Sequence, residues 1–94
     1  MTIKVSLGAA LNAGARKNVE LELDALNIGD VLELVARLEE MFPNIRDRIF
    51  DEHDRTRPYV NIFVNEESVR DLGGERTKLK DGDVIYILPS VAGG

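Results

Sequence analysis

The sequence predicts a single α+β domain in which a mixed sheet of about five strands is covered on one face by one main helix. Two stretches near the start alternate apolar and polar residues with the period of two that is typical of half-buried strands. Apolar residues then recur with the helical period between Asn27 and Phe42. Two further strand-like runs follow at 59–65 and 84–88. The predicted order is strand, strand, helix, strand, short strand, strand.

The first two strands are predicted to form a hairpin. Their apolar positions alternate with polar ones and are Ile3, Val5 and Leu7 in one strand and Val19, Leu21 and Leu23 in the other. The segment between them, residues 8–17, includes Asn12 and Gly14, which are residue types that favour turns and loops.

The main helix is predicted to begin after Asn27, which can cap the first turn together with Asp30, and to end before Pro43. Its apolar stripe, which should pack on the sheet, consists of Ile28, Val31, Leu32, Val35, Leu38 and Phe42. Glu33 and Arg37 have the i, i+4 spacing of an exposed ion pair. Residues 44–58 are mostly polar, so we expect a loop there with one short helical turn, which would be anchored by Ile45, Ile49 and Phe50.

The second half of the sheet is predicted from the run at 59–65, a short strand around Val69, and the run at 84–88. The last run is apolar at every position, which indicates a central strand, and Pro89 should end it. A hairpin, a crossover helix and a final central strand parallel to the first describe the β-grasp fold. We therefore predict a domain over residues 1–89 and a flexible tail over 90–94.

Composition excludes several classes of function. The chain has 94 residues, 17 acidic against 12 basic side chains and no cysteine. Without cysteine it can form no disulfide, thiolate metal site or cysteine nucleophile. Its net charge of −5 offers no evident means of neutralising phosphates, so we expect no binding to nucleic acid. We see no signal peptide and no apolar run that could span a membrane, and we expect a cytoplasmic protein without membrane contact.

No catalytic or metal site is predicted within the chain. The single histidine, His53, lies among acidic residues at 51–54, but consecutive loop residues rarely converge on one ion, so we interpret this segment as a solvated acidic loop. Gly73 and Gly74 lack the spaced glycines and the lysine of a phosphate-binding loop, and they indicate a turn. No set of serine, histidine and acid suggests nucleophilic catalysis. We therefore expect that the chain is not an enzyme.

Residues 79–94 resemble the C-terminus of the MoaD and ThiS family of ubiquitin-like sulfur carriers, and the predicted order of elements agrees over essentially the whole chain. Within the family, four segments look most like the carriers that supply sulfur for cysteine biosynthesis: residues 59–65, 69–70, 73–74 and 88–94. Molybdopterin-type carriers more often have aromatic residues and a double proline before the tail. This chain has Ile87 and Leu88 before the single Pro89.

The resemblance implies a carrier whose chemistry takes place at the carboxylate of Gly94. A ubiquitin-activating-like adenylyltransferase would use ATP to adenylate that carboxylate, a sulfur donor would convert it to a thiocarboxylate, and a downstream enzyme would accept the sulfur. Val91, Ala92 and Gly93 would thread the active site of the activating enzyme together with Gly94, where residues without Cβ atoms let a narrow channel close around the backbone. The chain itself would bind no cofactor.

Three alternatives remain open. The chain could be a molybdopterin or thiazole sulfur carrier, a ubiquitin-like protein modifier joined to lysines through Gly94, or a β-grasp interaction module with an inert tail. The first differs from our preferred hypothesis only in pathway. The other two differ in the chemistry of the tail.

A partner surface is expected on the sheet face opposite the helix. In the third strand, the positions opposite in parity to the aliphatic ones include Tyr59 and Phe63. In the last strand both parities are apolar, so either set leaves apolar surface beside Phe63. We predict that Tyr59, Phe63, Tyr86 and Leu88 hold a partner while the tail enters its site. The alternative is a partly exposed sheet shielded by long polar side chains.

Overall fold

The computed structural model describes residues 2–11, 17–24, 26 and 28–89. Its strands and α-helices are β1 (Thr2–Leu7), β2 (Val19–Asp24), α1 (Val31–Met41), α2 (Ile45–Ile49), β3 (Val60–Val64), β4 (Glu67–Ser68) and β5 (Val84–Pro89). Short 3-10 turns occupy Ala9–Leu11, Val69–Asp71 and Gly74–Arg76.

The five strands form one mixed sheet in the order β2-β1-β5-β3-β4. β1 pairs antiparallel with β2 and parallel with β5, while β3 pairs antiparallel with both β5 and β4. The predicted β-grasp fold is confirmed, including the central position of β5 and its parallel pairing with β1. This arrangement places β5, whose end precedes the predicted tail, in the middle of the sheet.

The helix begins later than the sequence pattern predicts. Asp30, rather than Asn27, is the N-cap of α1, and its side chain accepts a hydrogen bond of 3.0 Å from the backbone N–H of Glu33. Ile28 therefore precedes the helix, although it is buried as expected. Asn27 lies outside the described residues. Arg37 lies 3.7 Å from Glu40, at i, i+3, instead of pairing with Glu33.

The core lies between the helices and one face of the sheet. Leu34, Val35 and Leu38 of α1 have no exposed surface, and Leu34 is a member of the buried stripe that the sequence analysis missed. Ile3, Val5 and Leu7 of β1 and Ile85 and Ile87 of β5 meet them from the sheet. The short helical turn predicted after Pro43 is confirmed as α2, whose anchoring residues Ile45, Ile49 and Phe50 are all buried.

The fourth strand lies slightly earlier than predicted. It consists of Glu67 and Ser68, because the chain enters a 3-10 turn at Val69. The hydroxyl of Ser68 accepts a hydrogen bond of 3.2 Å from the N–H of Arg70 and so caps this turn.

Among the described segments, none of the helices is long and apolar enough to cross a membrane.

Candidate functional site

The site predicted from the sequence has two parts, the tail and the outer face of the sheet. Val91, Ala92, Gly93 and Gly94 lie outside the described residues, so their role stays a prediction. The structure does describe the base of the tail, because β5 ends at Pro89.

Pro89 lies between the two neighbours of β5. On one side it is paired with Val60, the first residue of β3. On the other side the N–H of Gly8 donates a hydrogen bond of 2.8 Å to the carbonyl of Ile87, which extends the pairing with β1 just beyond its last strand residue. The end of β5 is therefore held by contacts to both neighbouring strands.

The outer face of the sheet brings an aromatic pair together. Phe63 of β3 lies directly opposite Tyr86 of β5, and Leu88 lies opposite Asn61. The Tyr86 residue is 38% exposed, whereas Phe63 and Leu88 are half-buried. The all-apolar run of β5 left open which parity faces the helix, and the structure buries Ile85 and Ile87 and turns Tyr86 outward.

Tyr59 differs from the other three residues of the predicted partner surface. It precedes β3 by one residue and is 54% exposed, so the strand alternation does not fix its orientation. Of the four residues, only Phe63 and Tyr86 are paired directly with each other across β3 and β5, and the involvement of all four in partner binding stays a prediction.

A shallow depression of about 440 Å³ lies beside the aromatic pair. Its side chains from the outer face are those of Lys4, Ser6, Glu20, Glu22, Val84 and Tyr86. Lys4 and Glu22 face each other across β1 and β2, with their charged atoms 4.0 Å apart. This depression was not predicted from the sequence, since three strands form it and each strand contributes only two of these side chains. Apolar surface flanked by charged residues is an arrangement common in protein interfaces.

The acidic loop around His53 has a structural explanation. The carboxylate of Asp51 accepts hydrogen bonds from the backbone N–H groups of Arg55, at 3.1 Å, and His53, at 2.8 Å. These bonds lower the pKa of Asp51 below its ordinary value. Across the described parts of the chain, histidine, aspartate and glutamate nowhere form a group of three that could hold a metal ion. Asp51 thus stabilises a turn.

The fold and the sequence are similar to those of known proteins. Residues 10–94 match the ThiS family. Sulfur carrier protein CysO of Mycobacterium tuberculosis is 36% identical over 98 aligned residues, which span 100% of both chains. Small archaeal modifier protein 3 of Haloferax volcanii is 35% identical over 71 residues, 76% of this chain and 73% of that protein.

Among solved structures, a chain in the crystal structure of the Amycolatopsis orientalis BexX/CysO complex superposes with a TM-score of 0.78 and 35% identity. The superposition covers 98% of this chain and 99% of that chain. The family resemblance noted in the C-terminal segment is thereby confirmed over the whole domain. Since the family match covers most of the sequence and CysO aligns over its full length, this chain belongs to the ThiS family.

Proposed function

We propose that this chain is a sulfur carrier, a substrate protein rather than an enzyme, whose Gly94 carboxylate is converted to a thiocarboxylate. The observation that carries the proposal is the alignment with the sulfur carrier CysO over the full length of both chains. The pathway we favour is cysteine biosynthesis, and molybdopterin or thiazole synthesis is the alternative within the same function. Because activation consumes ATP, we place the reaction in the cytoplasm.

The chemistry follows from the reactivity of a carboxylate. A free carboxylate is a poor electrophile, so one of its oxygens first attacks the α-phosphorus of ATP and pyrophosphate leaves. A sulfide-level donor then attacks the carbonyl carbon of the acyl adenylate, and AMP leaves with the bonding electron pair. The chain contains no cysteine that could hold a persulfide, so the carboxyl carbon of Gly94 is where it would carry sulfur.

Two partners are required. A ubiquitin-activating-like adenylyltransferase would bind the outer face through Phe63 and Tyr86, with Tyr59 and Leu88 at its border, while the tail enters its ATP site. A downstream enzyme would then accept the sulfur. The exposure of Tyr86 beside a depression with a charged border supports a docking role for this face. The net charge of −5 favours partners with basic surfaces.

A second candidate is a ubiquitin-like protein modifier joined through Gly94 to lysine side chains. The specific observation that favours it is the 35% identity to small archaeal modifier protein 3. Both functions begin with the same acyl adenylate. They differ in the nucleophile that attacks it, which is a sulfur donor for the carrier and an amine for the modifier.

The test is to incubate the purified chain with ATP and fractions of an extract from its own cells. ATP–pyrophosphate exchange identifies the fraction that contains the activating enzyme, and intact mass measurement follows the product. We expect the mass increase for replacing one oxygen with sulfur, located by fragmentation at Gly94. The matched control carries one alanine after Gly94, which places a Cβ where the channel should accept none, and it should not be loaded.

Three results would contradict the carrier proposal. One is loading of the extended control as fast as the native chain. Another is the appearance of lysine-linked remnants ending in Gly93 and Gly94 on other proteins without any thiocarboxylate, which would favour the modifier. The last is the absence of both products in every fraction, which would favour an interaction module with an inert tail.

A further inference from the structure

Pro89, the residue before the predicted tail, lies at a position of the ladder between β3 and β5 that has no hydrogen bond. At the other end of this ladder, just beyond the paired register, the N–H of Asn65 donates to the carbonyl of Val84 at 2.8 Å. Hydrogen-bonded pairs alternate with non-hydrogen-bonded pairs along an antiparallel ladder. By this alternation the last pair, Val60 with Pro89, is a non-hydrogen-bonded pair. Proline also has no N–H to donate. Contacts other than ladder hydrogen bonds must therefore hold Pro89 in position.

One of these contacts comes from Gly8. A Cβ built at Gly8 would lie 2.8 Å from Cδ of Pro89 and 3.4 Å from the carbonyl oxygen of Ile87. Cδ belongs to a rigid ring, so it cannot rotate away as a flexible side chain would. Gly8 does not have a positive φ, so the backbone conformation does not require glycine here. What requires glycine is the close approach of Pro89.

Arg70 supports the opposite side. β4 pairs with only the last two residues of β3, so among the described strands none covers the beginning of β3 on that edge. The Arg70 guanidinium lies there, with Nη2 donating to the carbonyls of Val60, at 2.8 Å, and Arg57, at 3.1 Å. Its Nη1 donates to the Asn61 side-chain oxygen at 2.8 Å. The planar fork of donors thus takes the place of a neighbouring strand.

These two contacts act on the same point of the chain. Arg70 fixes Val60 and Asn61, which lie opposite Pro89 and Leu88 respectively. Gly8 allows β1 to approach Pro89 from the other side. We propose that Gly8 and Arg70 are positioning residues, which hold Pro89 between β1 and β3 and so set the direction in which the tail leaves the sheet toward the activating enzyme. This inference rests on the proposed function, since the direction matters only if Gly94 must be delivered to a reacting site.

The first test compares two variants, their two controls and one rescue variant, Arg70→Lys, in the ATP–pyrophosphate exchange assay. Gly8→Ala has Gly29→Ala as its control, because a Cβ at Gly29 would meet only the end of the flexible Glu33 side chain, at 3.1 Å. Arg70→Met has Arg48→Met as its control, since Arg48 is an exposed arginine of α2. Thermal unfolding establishes that each variant is folded at the assay temperature.

We expect kcat to fall about 10- to 100-fold in Gly8→Ala and Arg70→Met with KM changed less than about threefold, because misplacing a reacting group by an ångström has effects of this size. The outer face is intact in these variants, so docking should be preserved. Arg70→Lys should recover part of the lost kcat, because an ammonium group can still reach one or two of the acceptors. Both control variants should retain wild-type kinetics.

A second measurement does not depend on activation. In both positioning variants, NMR residual dipolar couplings of the N–H vectors of residues 87 and 88 should change, while those in α1 should not. If the native chain is never adenylated but these couplings change, the proposed function fails and the structural part of the inference stands. If the folded variants have the couplings and the kcat of the wild type, the inference is overturned and the proposed function is unaffected. A raised KM with unchanged kcat would also overturn it, because Arg70 or Gly8 would then act in docking.

Discussion

Replacing Phe63 with Asp tests whether the outer face of the sheet binds the activating enzyme. Phe63 is half-buried on that face and lies opposite Tyr86, whereas the adjacent residue Ile62 has no exposed surface and belongs to the core. The two residues are consecutive in β3 and point to opposite faces of the sheet. Phe63→Asp and Ile62→Asp therefore make a matched pair of variants.

The cost of Phe63→Asp to folding should be moderate. The cross-strand pair with Tyr86 contributes about 0.2–1 kcal/mol, and the difference in strand preference adds up to about 1 kcal/mol. Phe63 also loses most of the roughly 1.5–3 kcal/mol that burial of a phenylalanine contributes, so we expect a total loss of about 2–4 kcal/mol in the free energy of unfolding. Ile62→Asp loses about 1.5–3 kcal/mol of apolar burial and also places a carboxylate in the core, at a cost of several kcal/mol. That sum approaches the whole stability of a small domain, about 5–15 kcal/mol, so this variant should be largely unfolded.

Phe63→Asp should also weaken binding to the activating enzyme while the domain stays folded. An aromatic residue at the centre of an interface contributes about 2 kcal/mol or more, which corresponds to a rise in Kd of about 30-fold. Urea unfolding measures the stability of each variant, and calorimetric titration with the activating enzyme measures Kd. Unfolding by Phe63→Asp would show that this position is core. A folded Phe63→Asp variant with wild-type Kd would show that the enzyme binds elsewhere.

Three further predictions concern the core, the tail and the acid stability. Leu38→Ala should lower the free energy of unfolding by about 2–5 kcal/mol, because Leu38 is fully buried. Its control, Met41→Ala, is at a position 42% exposed and should cost less than about 1 kcal/mol. Similar costs for the two variants in urea unfolding would contradict the assigned stripe. Deleting residues 93–94 should shift Tm by less than about 2 °C and abolish ATP–pyrophosphate exchange, and a large drop in Tm would mean that these residues are packed. Burial raises the pKa of Glu75, but hydrogen bonds of 2.8 Å from both the N–H and the hydroxyl of Thr56 outweigh it and lower the pKa below its ordinary value. The charged form of Glu75 therefore stabilises the fold above the unfolded-state pKa, and this contribution is lost as the pH falls through the folded-state pKa. Glu75→Gln should flatten the decline of Tm in acid. An unchanged profile of Tm against pH would contradict the stabilising role of the Glu75 carboxylate.

The positions of most elements follow from local patterns. The alternation in β1 and β2 and the helical period of α1 arise because each segment is buried on one side only. The resulting pattern of apolar residues is visible within the segment itself. The start of α1 was predicted too early because both Asn27 and Asp30 are good caps, and only the contacts of Asp30 select between them. The buried Asp30 side chain accepts a hydrogen bond of 3.0 Å from the N–H of Glu33. The backbone of Asp30 also forms an isolated antiparallel β-bridge with Lys78, which is distant in sequence.

The outer face could be predicted only in part. Val60, Ile62 and Val64 marked the buried parity of β3, which placed Phe63 outside. In β5 every residue is apolar, so its pattern cannot distinguish the two faces of the sheet. The pairing of Tyr86 with Ser6 of β1 and with Phe63 of β3 determines which β5 side chains lie on the outer face. The depression beside it also depends on this register.

The sequence by itself determined the fold class, the order of elements and the family, because these depend on periodicity and on a run of residues close together in the chain. Tertiary structure alone decided how Pro89 is held. Gly8 is distant in sequence from both Val60 and Arg70, and each of the three is ordinary in its local context. Their importance arises from the close approach of β1 to Pro89 and from the part of the β3 edge that β4 does not cover. Contacts between distant residues leave no local period in a sequence, so only the folded chain could reveal them.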